Sequence, residues 1–201
     1  MASAADCRVL VFARAPEPGK VKTRLIPALG EEGAADLQRG FVLRALGVAT
    51  EAGLGPVELW CTPDAVHPFF AECRLRFGVS TYDQGAGDLG ERMERAIRGA
   101  LERSQRAILI GSDIPAMDAH YLRAADRALV AGSDMVIGPA EDGGYALIGL
   151  TRCFAELFRG IPWGTATVLE ETRRRAAALA LHIGELPVLW DVDRPEDLQR
   201  L

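Results

Sequence analysis

The chain has 201 residues, 23 basic against 28 acidic, for a formal net charge of -5. That length suits one domain spanning residues 1–201, and a composition 49% hydrophobic, 25% charged and 6% aromatic is that of a globular protein with a real core. The mildly acidic balance argues against nucleic acid or an anionic membrane as partner, and no window approaches the roughly 18 apolar residues a spanning helix needs.

Residues 8–13 form a short β-rich apolar run and read as a buried strand entering a loop. Arg8 and Arg14 flank that run, which is too short for the core of a signal peptide, so a cytoplasmic location is expected. Residues 31–52 carry Leu37, Phe41, Ala45 and Ala49 on one helical stripe, with Gly53 as the stop. Residues 56–61 read as a second strand, 64–73 as a short helix and 75–81 as a third strand. Asp88 with Glu91 three residues on is a capping box, and Leu89, Met93, Ala96, Ile97 and Ala100 give the following helix its apolar face.

The fully apolar run 107–111 reads as a central strand. A helix over 118–131, strands at 135–137 and 145–148, a helix over 165–180 and a last strand at 188–192 complete the pattern. Strands alternating with helices imply an α/β fold on a mostly parallel sheet flanked by helices, in which ligands sit beyond the carboxyl ends of the strands. The four cysteines, Cys7, Cys61, Cys73 and Cys153, lack the paired short spacing of a zinc site and read as buried apolar residues.

Four strand-end segments carry charged or glycine-rich chemistry. The first runs from Arg14 to Arg24 and holds Arg14, Lys20, Lys22 and Arg24 with Gly19 at a turn; Lys20 and Lys22 are the only lysines beside 21 arginines. Guanidinium forks, compact ammonium groups and backbone N–H groups near a glycine suit a polyphosphate, although the spacing is not that of a P-loop. A solvated basic loop is the alternative. The second is Gly111-Ser112-Asp113-Ile114-Pro115, where Asp113 either holds Mg²⁺ against phosphate or caps the bend before Pro115. The third, Glu141-Asp142-Gly143-Gly144, allows close backbone approach to a ligand or forms a plain hairpin loop. The fourth is Asp191-Val192-Asp193, where Asp193 either shares a metal with Asp113, which requires the last strand to lie near the central one, or caps a terminal helix at Pro195. His67, His120 and His182 stand apart from all four segments, and nothing suggests a nucleophilic hydrolase.

Taken together, the Arg14–Arg24 loop, Gln84-Gly85-x-Gly87-Asp88, Gly111-Ser112-Asp113-x-Pro115, Gly138-Pro139-x-x-Asp142-Gly143-Gly144-Tyr145 and Ile161-Pro162-Trp163 resemble a bacterial family of unknown function. That family is labelled glycosyltransferase-A-like, or radical-SAM/selenodomain-associated transferase. The resemblance spans residues 8–201 and implies the nucleotide-diphospho-sugar transferase fold, whose members transfer either nucleotidyl groups from NTP or sugars from a nucleotide sugar. By similarity to the nucleotidyltransferases, Gly19 and the cations Arg14, Lys20, Lys22 and Arg24 would hold the triphosphate, Asp113 and Asp193 would hold Mg²⁺ (or Mn²⁺), and Asp142, Gly143 and Gly144 would orient a phosphorylated or hydroxyl acceptor. Lys20, Lys22, Arg24 and Asp113 are then the expected catalytic group. A glycosyltransferase and a non-catalytic nucleotide-binding module are the alternatives, and the oligomeric state is left open.

Overall fold

The computed structural model describes residues 6–201. One seven-stranded sheet runs through it: β1 (Cys7–Arg14), β2 (Val57–Thr62), β3 (Ser80–Asp83), β4 (Arg106–Ile110), β5 (Met135–Pro139), β6 (Tyr145–Leu150) and β7 (Ile183–Glu185), in the order β3-β2-β1-β4-β6-β5-β7. Only β6 runs against its neighbours, so the sheet is mixed and mostly parallel.

The period-2 alternation of side chains explains the unbroken apolar runs. On β1, Val9, Val11 and Ala13 face one helical layer while Leu10 and Phe12 face the other. The first layer holds α1 (Ile26–Ala52), α2 (Pro68–Phe77) and α4 (Ala119–Val130); the second holds α3 (Leu89–Leu101) and α5 (Val168–Ala178). Both faces of the sheet are therefore core, as the α/β pattern implied.

The expected capping box at α3 is present: Glu91 N–H donates to Asp88 Oδ1 at 2.9 Å and Asp88 N–H to Glu91 Oε2 at 2.9 Å. Asp118 caps α4 through Tyr121 N–H at 2.8 Å. The helix expected to start at residue 31 begins at Ile26, but Gly30 (φ 73°, ψ 171°) kinks it, and the amphipathic stripe covers only the part beyond the kink. The short helix expected over 64–73 lies at Pro68–Phe77, because Pro68 takes the first helical position and the His67 ring accepts from Phe69 N–H. It runs on to Gly78 (φ 66°), so β3 begins at Ser80 rather than near residue 75.

The last strand differs most. Regular pairing with β5 occurs at Ile183–Glu185, and residues 188–192 retain a single bridge, Leu189 to Ala140. Pro187 has no N–H to give and interrupts the edge ladder between the bonds Leu186 N–H to Ile137 O (3.0 Å) and Leu189 N–H to Pro139 O (2.9 Å). The chain nevertheless continues along β5, and Val192 N–H donates to Asp113 O at 3.2 Å. The tail past Pro195 forms a 3-10 helix, Pro195–Arg200.

Burial pushes the thiols of Cys7 and Cys61 up to about 12 and that of Cys73 to about 11, consistent with inert apolar packing. All four cysteines are free thiols. Among the described residues, no helix is long and apolar enough to cross a membrane.

Candidate active site

The carboxyl ends of β1, β4 and β5 open on one edge of the sheet, and all four charged segments gather there. Val21 and Leu25 are buried and anchor the basic loop, while Ala15 N–H donates to Thr62 O at 2.8 Å and ties its start to β2. Gly19 (φ 75°) and Lys22 (φ 45°) supply two left-handed turns that fold the loop back over the sheet edge. Arg14, Lys20, Lys22 and Arg24 line one cleft of about 480 Å³ together with Ser112, Asp113 and Asp193. The structure thus brings the expected phosphate-binding cations and both expected metal carboxylates into one concavity.

The four cations are not equivalent. Lys22 is turned inward with its side chain only 7% exposed. Its ammonium donates to Asp113 Oδ2 and to Val192 O, each at 2.7 Å, and so joins three distant segments. Arg24 pairs with Asp193, and Lys20, 74% exposed, pairs with Glu17. Arg14 has no ion pair among the described residues. Asp193 does not cap the terminal helix: Asp197 accepts from the N–H groups of Asp193 (3.0 Å) and Arg194 (2.7 Å), which frees the Asp193 carboxylate for Arg24.

A second cavity, about 260 Å³, adjoins the cleft and shares Phe12, Gly111 and Asp113 with it. Asp142 and Gly144 lie on its wall, and the third expected acceptor residue, Gly143, packs just behind them. Asp142 Oδ1 accepts from Gly144 N–H at 2.8 Å, and Leu169 N–H donates to Gly143 O at 2.9 Å, so the turn is docked on the first turn of α5. The metal role is expected at Asp193, and it is Asp191 that shares this cavity with Asp113 and Asp142. Strand alternation would put residues 191 and 193 on one face, so the division of these two aspartates between the chambers was not legible in the sequence.

Burial, Asp113 and Asp142 raise the Asp191 carboxyl from its usual range to about 6. The folded protein therefore holds this proton more tightly than the unfolded chain, and stability declines as pH rises from about 4 to about 6. Two units are worth roughly 3 kcal/mol, and because the group is only half-buried we discount this for solvent screening to about 1 kcal/mol. Asp191→Asn is expected to be more stable than the parent by about 1 kcal/mol at pH 7.5, and equal to it near pH 4, in urea titrations with chelator present. A gap of the same size at both pH values would rule out the electrostatic cause.

Among the described residues, no three His, Cys, Asp or Glu side chains are grouped as a metal cage. A Mg²⁺-like ion needs no such cage, because it keeps waters and takes one or two carboxylates with substrate phosphate oxygens. Asp113, reached from both chambers, with Asp191 or Asp193 as second carboxylate, fits that donor set.

This architecture matches solved transferase structures. A candidate nucleotide-diphospho-sugar transferase from Desulfovibrio desulfuricans G20 is 35% identical and superposes with a TM-score of 0.85, over 94% of this chain and 83% of that one. CMP:2-keto-3-deoxy-manno-octonic acid synthetase complexed with CTP matches at 0.59 and 12% identity, over 97% of this chain and 96% of that one. Glucosyl-3-phosphoglycerate synthase from Mycobacterium tuberculosis, in complex with Mn²⁺, UDP and glucosyl-3-phosphoglycerate, matches at 0.61 and 12%, over 98% and 75%. At such identities the last two show the shared fold alone. No curated protein matches the sequence. Residues 45–165 match the family described as "Uncharacterized protein conserved in bacteria (DUF2064)". With that match covering more than half the chain, and a relative on the nucleotide-diphospho-sugar transferase fold at 35% identity, the protein belongs to the DUF2064 family.

Proposed function

We propose that the protein is a cytoplasmic, divalent-metal-dependent transferase that moves a nucleotidyl group from an NTP to a small acceptor and releases pyrophosphate. The observation that carries this reading is the convergence of four cations on one cleft that meets an acid-lined cavity at Asp113. A triphosphate offers enough anionic oxygens to replace the carboxylates now paired with Lys20 and Arg24, and to engage Arg14. Asp113, with Asp191 or Asp193, would hold Mg²⁺ or Mn²⁺, which when bound neutralises charge on the phosphates. Lys20 and Arg24 then stabilise the leaving pyrophosphate, and Lys22 holds Asp113 in place.

In the transfer step the acceptor oxygen bonds to the α-phosphorus as the bond from that phosphorus to the pyrophosphate oxygen breaks. The acceptor proton passes to a cavity carboxylate, Asp142 or Asp191. Positioning and charge stabilisation supply most of such catalysis, which suits a site where no histidine lines the cleft or cavity among the described residues.

Incubation with each NTP, Mg²⁺ and a metabolite extract is expected to release pyrophosphate, and Asp113→Asn to abolish it. The likeness to a candidate nucleotide-diphospho-sugar transferase favours one other reading, glycosyl transfer. Release of NDP from a nucleotide sugar, without pyrophosphate from any NTP, would establish that reading instead. Lys20 gives the cleanest test of the cleft, since its exposed side chain carries no structural bond beyond Glu17. Lys20→Ala should leave the melting temperature unchanged and weaken triphosphate binding roughly tenfold, the scale of one charge-assisted hydrogen bond. Unchanged affinity by calorimetry would remove the loop from the nucleotide site.

A further inference from the structure

The cavity beyond Asp113 has a chemistry that the basic cleft does not share. At about 260 Å³ it lies just below the range of drug-sized pockets and suits one small ring. Its walls combine apolar and aromatic surface from Leu89, Tyr145 and Trp163 with the carboxylates of Asp113, Asp142 and Asp191. No lysine, arginine or histidine lines it among the described residues. Lys22, the cation bonded to Asp113, lines the cleft and not the cavity, and its ammonium is already committed to Asp113 and Val192 O.

With the metal held by Asp113 and Asp193 on the cleft side, a phosphate or carboxylate placed here would be desolvated against Asp142 and Asp191 with no cation to answer it. It could reach cations only through the cleft, which the triphosphate fills. Ionised carboxylates accept hydrogen bonds and donate none, so hydroxyl or ammonium groups are what this wall can bind. The apolar and aromatic surface opposite suits the C–H face of a ring. We propose that the acceptor is a hydroxyl-bearing molecule of monosaccharide size that carries no phosphate or carboxylate. The word acceptor rests on the nucleotidyl-transfer reading, which this narrows, because the sequence admitted a phosphorylated acceptor equally well.

Saturation-transfer NMR on the full chain tests it, with Mg²⁺ and each of four non-hydrolysable nucleoside triphosphates. Glucose, glucosamine and myo-inositol are compared with glucose 6-phosphate and glucuronate. At least one uncharged or amino compound is expected to give signal, with the two anions at least tenfold weaker. Leu89, exposed at the start of α3, can be enlarged without disturbing the core. Leu89→Trp is expected to abolish the polyol signal and keep the triphosphate signal. Equal or stronger binding of the anions, no signal from any of the three non-anionic compounds, or polyol signal indifferent to Leu89→Trp would overturn the proposal. The nucleotide's own resonances are read on the same samples. Their absence, with polyol binding retained, would sink the nucleotidyl-transfer reading and leave the cavity's preference for non-anionic ligands standing.

Discussion

Lys22→Ala is expected to lower the stability of the fold by about 2–4 kcal/mol, more than the loss of any other single cation in the cleft. The side chain is nearly buried, and its ammonium satisfies both the Asp113 carboxylate and the Val192 carbonyl. Removing it leaves a partly buried carboxylate facing Asp191 and an orphaned carbonyl beside it. Because Asp113 is itself 37% exposed, water can reach it, which keeps the cost at the lower part of the range for a broken buried pair. Denaturant titration measures the loss. Lys22→Arg should recover little of it, since a planar guanidinium is longer and cannot occupy the same point between the two acceptors. A variant as stable as the parent would show that the three segments are held together without this tie. The same variant is expected to lose triphosphate binding as well, so nucleotide affinity alone does not separate the two roles. The exposed Lys20 does.

Gly143→Ala is expected to cost about 2–4 kcal/mol and to depress turnover at least 100-fold, because the acceptor turn must move. Gly143 has φ 86°, and a Cβ there would lie 2.2 Å from the carbonyl oxygen of Ala166, a backbone atom that cannot rotate away. Relief requires parting the turn from the start of α5, which breaks the Leu169 N–H to Gly143 O bond and displaces Asp142. Gly78→Ala is the control. Its φ of 66° carries the same left-handed penalty with no atom within 4 Å, so a cost of about 1 kcal/mol and normal turnover are expected. Equal costs at the two positions would mean that backbone conformation, and not the contact with Ala166, explains Gly143.

Where a local rule dominates, the fold was legible residue by residue. The capping pair Asp88 and Glu91 and the apolar runs of β1 and β4 fall where cap chemistry and periodicity place them. Errors arose where two local signals competed. Asp64 resembles a helix start, but His67 and Pro68 set the true one, and the periodic stripe of α1 says nothing about the four residues ahead of Gly30. The strand expected at 188–192 was apolar enough to pair, yet Pro187 and its place at the sheet edge left a single bridge.

By itself the sequence determined which residue types meet at the carboxyl edge. A strand that runs apolar on both faces must be buried, so the polar residues just beyond its end must gather at one rim. Arg14, Lys20, Lys22, Arg24, Asp113 and Asp142 were found on that ground. Only the tertiary structure decided how they divide. Lys22 is a buried strut while Lys20 stays exposed, and Asp113 stands between a cationic cleft and a cavity that no cation lines among the described residues. Asp191, not Asp193, shares that cavity. The reason is that charge and spacing along a chain are local, whereas the partner of each charge is set by packing between segments as much as 170 residues apart.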